Sequence, residues 1–165
     1  MAGGKNFIPN QWCWFGFIPG TAAWENMEEV TMDEVTEAIE LTSFMVSLNA
    51  SSQGNTVPNP ALDSLWEGTI RGTSQGQYSM DMKRKDVKED DIAWNTFPRG
   101  TVGTMLICRY GVPKGEKPKV GSDIEKWPID VSSRTASAVT SNTLQTFTVT
   151  AGVPFEPNEG TEVVA

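Results

Sequence analysis

The chain has 165 residues, 38% of them hydrophobic and 21% charged, with a formal net charge of −8 and no histidine. That length suits one domain over 1–165, burying roughly 70% of the surface its unfolded form exposes. Without histidine there is no Ser–His or Cys–His nucleophile pair and no imidazole zinc site, and two cysteines are too few for a four-cysteine zinc site or a disulfide scaffold.

The charge is unevenly placed. Residues 25–40, ENMEEVTMDEVTEAIE, hold seven acids and no base; twelve of the thirteen bases fall between Arg71 and Arg134; the last thirty-one residues hold three acids and no base. Such a chain is a poor match for gripping duplex DNA, where affinity comes largely from neutralising phosphates. KRKDVK (83–88) is basic but is followed at once by EDD, which reads as a solvated hairpin end. No apolar run approaches the roughly 18 residues of a membrane span. Prolines and glycines interrupt the apolar N-terminus, and no small-residue cleavage pattern follows it, so neither a membrane nor a signal peptide is expected. Cys13 and Cys108 are expected to be buried, reduced thiols, which fits a cytoplasmic folding site.

QWCWFGFI (11–18) closes an N-terminal arm and first strand placed within 1–30, and it has strand chemistry between PN and PG turn signals. Trp12 and Trp14 share one face; Cys13, Phe15 and Phe17 share the other. Both faces are apolar, so either the strand lies inside its own domain or another subunit covers its outer face. TMDEVTEA (31–38) carries a capping box, Thr31 with Glu34, and predicts one or two helical turns. IELTSFMVSL (39–48) reads as a strand. NASSQGNTVPNPAL (49–62) reads as a long polar loop, either a self-packed surface loop or a partner-binding arm, since loops this long are uncommon without a task. The glycines of GTIRGTSQG (68–76) are spaced for turns. SQGQYSMDMKRK (74–85) alternates Tyr78, Met80 and Met82 with Gln77, Ser79, Asp81 and Lys83, the pattern of a half-buried antiparallel strand.

DDIAWNTFPRGTVG (90–103) predicts a short helix over 90–97, capped by Asp90 or Asp91 and stopped by Pro98, with Ile92, Trp94 and Phe97 filling an open side of a β-structure. TVGTMLICRYG (101–111) is a strand, and VPKGEKPKVGSD (112–123) a loop. DIEKWPIDVSSR (123–134) is a strand pair or a kinked strand, with Pro128 arguing for an edge or bulge. LQTFTVTAGV (144–153) alternates as a strand, and PFEPNEGTEVVA (154–165) is an acidic, proline-broken C-terminal tail. Seven or eight such strands predict a mainly β fold, a sandwich or small barrel with one short flanking helix.

No chemistry stands out. The sequence contains no dinucleotide, P-loop, nucleophile-elbow or calcium-loop motif, so no catalytic residue, metal ligand or cofactor is assigned. Paired carboxylates could support glycoside hydrolysis, and 25–40 is dense enough to supply them, but acids crowded on a short helix usually form a solvated face.

The order of segments resembles a known family. LDSLWEGTIRGTSQGQYSMDM, AWNTFPRGTVGTMLICRYG, IEKWPIDVSS, SNTLQTFTVT and the PFEP tail are similar to major tail tube proteins of long-tailed, siphovirus-type bacteriophages, above all those of actinobacterial phages. The resemblance implies a β-sandwich of two antiparallel sheets with a flanking helix and extended arms. It implies a structural virion protein, not an enzyme: a subunit of stacked hexameric rings that form the tail tube, the conduit for DNA ejection. Implied partners are copies of the chain itself, a tape-measure protein, a tail terminator and baseplate or distal tail proteins. Genomic DNA passes without specific binding, and like charge would prevent its adhesion. The implied place is the virion tail, assembled in the host bacterial cytoplasm, with a non-contractile tube favoured over the inner tube of a contractile tail. Expected assembly contacts are Trp12, Trp14, Phe15, Phe17, Val57, Pro58 and Phe155; residues 25–40 are candidates for the lumen or a ring-to-ring contact, and Asp81 is another expected lumen residue. The alternatives are a carbohydrate-binding β-sandwich stacking sugars on Trp12, Trp24 or Trp66, and a carboxylate hydrolase built on 25–40.

Overall fold

The computed structural model describes residues 12–59 and 68–165. The start of the expected N-terminal arm, the end of the expected 49–62 loop and Trp66 lie outside the described residues. The strands are β1 (Trp14–Pro19), β2 (Val30–Thr31), β3 (Ile39–Glu40), β4 (Met45–Asn59), β5 (Gly68–Lys83), β6 (Val102–Cys108), β7 (Asp123–Ala136), β8 (Thr146–Gly152) and β9 (Asn158–Val164). The helices are α1 (Met32–Glu37) and α2 (Ile92–Thr96), with a 3-10 turn at Ala22–Trp24. The fold is mainly antiparallel β, as the alternation of the sequence implies.

The strands run β3-β1-β6-β7-β8-β5-β4, with β9 on β7 and the short parallel β2 on β9. The two layers expected of a sandwich are parts of one hydrogen-bonded path. The first part of β7 pairs with β6 through Glu125–Asp130, and the last part pairs with β8 through Asp130–Ala136. A register shift between Val131 and Ser133 marks the bend. Pro128 sits opposite the 153–157 excursion, between the last β8 pair and the first β9 pair, where no ladder N–H is needed. The main core lies inside the curl: Phe17, Met105, Ile107, Trp127 and Ile129 on one side meet Tyr78, Met80, Met82, Phe147, Val149 and Ala151 on the other.

β6 is buried on both faces. Met105 and Ile107 enter the main core, while Leu106 and Cys108 enter a second cluster with Trp14, Val30, Val35, Ala38, Ile124 and Val163. This second cluster resolves the two-faced aromatic strand. β1 sends Phe15 and Phe17 to the core and Trp14 to the second cluster, and the lid over Trp14 comes from the same chain, through α1, β2 and β9. Trp14 and Phe17 are 1% and 0% exposed. Presenting them to a neighbour would unpack both cores, so they leave the set of assembly contacts. Gly16 lies beneath the Trp14 ring, where a Cβ would stand 2.3 Å from Cη2.

The acidic segment 25–37 is pinned to the sheet by a buried cation. Lys126, 0% exposed, donates from Nζ to the carbonyls of Asn26 (2.6 Å) and Glu29 (3.2 Å) and to Glu34 Oε1 (2.8 Å). The other Glu34 oxygen accepts the Thr31 amide at 3.0 Å, and Thr31 Oγ1 accepts the Glu34 amide, completing the capping box. One side chain thus caps α1 and neutralises the lysine.

Four local expectations are revised. Residues 49–59 are strand, not loop: β4 pairs with β5 from Met45↔Met82 to Asn59↔Gly68, so the glycines of 68–76 also lie in a strand. Their polar composition suits a ribbon wet on both faces rather than a turn region. The 39–48 segment is broken by a turn over 41–44 between β3 and β4. The C-terminal tail forms β9, which brings Val163 into the lid. In α2, Ala93 is buried, as is Phe97 just after it, but Ile92 is exposed. Trp94 lies between the guanidiniums of Arg84 and Arg134, each 3.8 Å from its ring centroid. Asp91 makes no side-chain cap; it binds Arg84 Nε at 2.7 Å and the Lys85 amide at 3.1 Å.

Candidate assembly surfaces

The outer face of the β4-β5-β8-β7 layer is assembled from alternate residues. Ser47, Asp81, Thr148 and Thr135 stand side by side in one row; Asn49, Ser79, Thr150 and Ser133 form the next; Ser51, Gln77, Gly152 and Asp130 form the third. The intervening residues Tyr78, Met80, Val149 and Ala151 point into the core. The three rows therefore contain hydroxyls, amides, one glycine and two carboxylates, and no cation. Lys83, of the same parity on β5, lies one step beyond the first row. Asp81 is half-buried in its row, accepting from Ser47 Oγ at 3.0 Å and Thr148 Oγ1 at 2.5 Å. A surface of this kind carries no cation to neutralise a phosphate, and its two carboxylates repel polyanions.

β4 ends the sheet path, so its outer edge is unpaired along 15 residues among the described residues. β8 covers β5 only from Gln77 to Lys83, so 51–59 and 68–76 project as a two-stranded ribbon. Val57 and Ile70 face each other across it and are both exposed, as is Pro58. Long bare edges template pairing with another chain, and exposed apolar cross-strand pairs favour cover. A groove of about 780 Å³ lies between the ribbon and the 152–157 excursion, lined by Arg71, Gly76, Val153 and Phe155 among others.

Of the other expected contacts, Trp12 is half-exposed and Phe15 half-buried against the core. Phe155 is partly exposed, its ring edge-on to Trp24 at 5.1 Å. Trp24 is half-buried, its Nε1 donating to the Gly103 carbonyl at 3.1 Å. The hydroxyl rows and the Lys126–Glu34 pin were not read from the sequence: the rows depend on register between distant strands, and the pin joins residues 92 positions apart.

The titratable groups are tuned for packing. Burial pushes the Tyr78 phenol far up, with Arg109 opposing slightly; the Tyr78 hydroxyl donates to Met80 Sδ at 3.3 Å. Burial likewise raises the Cys13 and Cys108 thiols, and both cysteines are free. Among the described residues no three cysteine or carboxylate side chains converge as metal ligands.

Comparison with known proteins supplies the assignment. No curated protein sequence matches the chain. Among solved structures, it is similar to a chain in the tail of an empty gene transfer agent particle with C6 symmetry, at 17% identity and a TM-score of 0.52, covering 74% of this chain and 85% of that one. It is similar to a chain of the sixfold-symmetrised baseplate of the anti-feeding prophage, at 5% identity and a TM-score of 0.54, covering 98% and 96%. At these identities the likeness establishes the fold. Residues 15–165 match the family described as phage tail tube protein, so the chain belongs to that family and is a structural subunit of a phage tail tube.

Proposed function

We propose that six copies close into a ring, that rings stack into the tube of a long non-contractile, siphovirus-type tail, and that the three hydroxyl rows with Asp81 and Asp130 face the bore. The observation that carries this reading is the cation-free outer face beside a 15-residue edge that is unpaired among the described residues. The edge of β4 supplies the pairing surface that closes the ring, and the ribbon with Val57 and Pro58 reaches an adjacent copy, with Trp12, Phe15 and Phe155 as further contacts. The role is structural and needs neither catalysis nor a cofactor. Tape-measure protein occupies the bore during assembly in the bacterial cytoplasm, terminator and baseplate proteins cap the ends, and genomic DNA later passes without being held. The resemblance to actinobacterial phage proteins points to that host group.

Electron microscopy of the concentrated full chain tests the reading. Rings or tubes are expected; a monomer at every concentration, together with absence of the chain from virion tails, overturns it.

A further inference from the structure

We propose that Lys83 of every copy lines one mouth of the bore, forming a cationic collar that draws the phosphates of passing DNA and slows its transit; this rests on the tube assembly and bore face proposed above. Lys83 is the last residue of β5 and pairs with Thr146 of β8. Its amide donates to the Phe44 carbonyl at 2.7 Å, and the following amide, of Arg84, donates to the Gln145 carbonyl at 2.9 Å. The backbone is therefore fixed where the side chain leaves it. Met82, just before, is fully buried in the main core, so alternation sends Lys83 out on the face that carries Asp81, Ser79 and Gln77, and it is exposed there.

The surrounding charges leave this ammonium unclaimed. Asp81 is the acid next to it on the same face, about 7 Å back along the strand, and its two oxygens accept from Ser47 and Thr148. Lys83 has no ion-pair partner among the described residues. The neighbouring segments at this end of the layer, 41–44 and 137–146, carry no charge. The loop 84–91 holds three bases and four acids, but it leads away from the outer face to α2, whose Ala93 enters the core. Within that loop Arg84 is taken by Asp91 and the Trp94 ring, and Lys85 lies over the Phe44 ring at 5.5 Å. The other cation of β5, Arg71, lines the groove with Glu156 and Glu159. Lys83 is thus the one cation that β5 adds to the bore face, at its rim, and a phosphate is the anion that passes it. Because the rows beyond it hold only Asp81 and Asp130 as charges, attraction at the rim gives way to repulsion inside, which slows the polyanion without trapping it.

The test uses virions whose tails are built from the full variant chain, with DNA ejection timed at low and high salt. Lys83→Ala is expected to speed ejection roughly twofold or more at about 0.01 M salt and to match wild type at about 0.5 M, because phosphate contacts are screened and release counterions. Lys83→Arg, which keeps the charge, is expected to retain the salt-sensitive slowing. Asp81→Lys, timed in parallel, reports on the bore face itself. A salt-dependent change from D81K with none from K83A overturns the collar and leaves the bore face standing. No change from either variant overturns the bore face and the collar with it. Shorter or fewer tails from K83A, with ejection unaltered, assign the ammonium to a neighbouring copy or to tape-measure protein, and overturn the collar as well.

Discussion

Single residues carry much of the stability. Lys126 answers two carbonyls and a carboxylate with no contact to water. Removing it leaves those acceptors desolvated and unpaired, so Lys126→Ala is expected to cost about 3–5 kcal/mol, seen as a lowered thermal midpoint. Tyr78 sets an alkaline limit. Its phenol, like the Cys108 thiol, is raised in the folded state. The folded chain therefore holds protons that the unfolded chain releases, so the stabilisation is complete below the unfolded values and is lost as pH rises past roughly 9–10. Tyr78→Phe, which gives up only a sulfur hydrogen bond, is expected to be close to neutral at pH 7. It should also flatten the loss of stability between about pH 10 and 11 in denaturant titrations.

Elements show how little of the chain stands alone. α2 has five residues, too few to persist by helix propensity; Trp94, gripped by two arginines and edge-on to Phe147 at 5.2 Å, holds it in place. The ribbon is the opposite case, a long paired element with little buried surface. Val57→Asp and Ile70→Asp are expected to change subunit stability by less than about 0.5 kcal/mol while weakening assembly, read as a higher concentration threshold for rings or tubes. Loss of subunit stability comparable to loss of assembly would show instead that the pair serves the fold.

At the scale of the whole molecule, the layers divide their tasks: one outer face is sealed by α1, β2 and β9, and the other is left polar and open. If the open face lines the bore, charge there governs transit. Asp81→Lys, at a position supported by Ser47 and Thr148, is expected to assemble and to slow DNA ejection. The deficit should shrink as salt screens the new cation, measured by ejection kinetics at two ionic strengths. Equal kinetics at both would remove Asp81 from the bore.

The sequence by itself determined the fold class, because alternation in 74–85 and 144–153 assigns each residue to a face, and Thr31 with Glu34 declares a cap. The order of its segments also determined the family resemblance. Only the tertiary structure decided what covers each face. Whether Trp14 meets a neighbour or its own α1, whether 49–59 is loop or ribbon, and whether Ser47, Asp81 and Thr148 share a row all depend on strand register. Register pairs residues as far apart as Val30 and Val163 through backbone hydrogen bonds, and those bonds leave no mark on local composition.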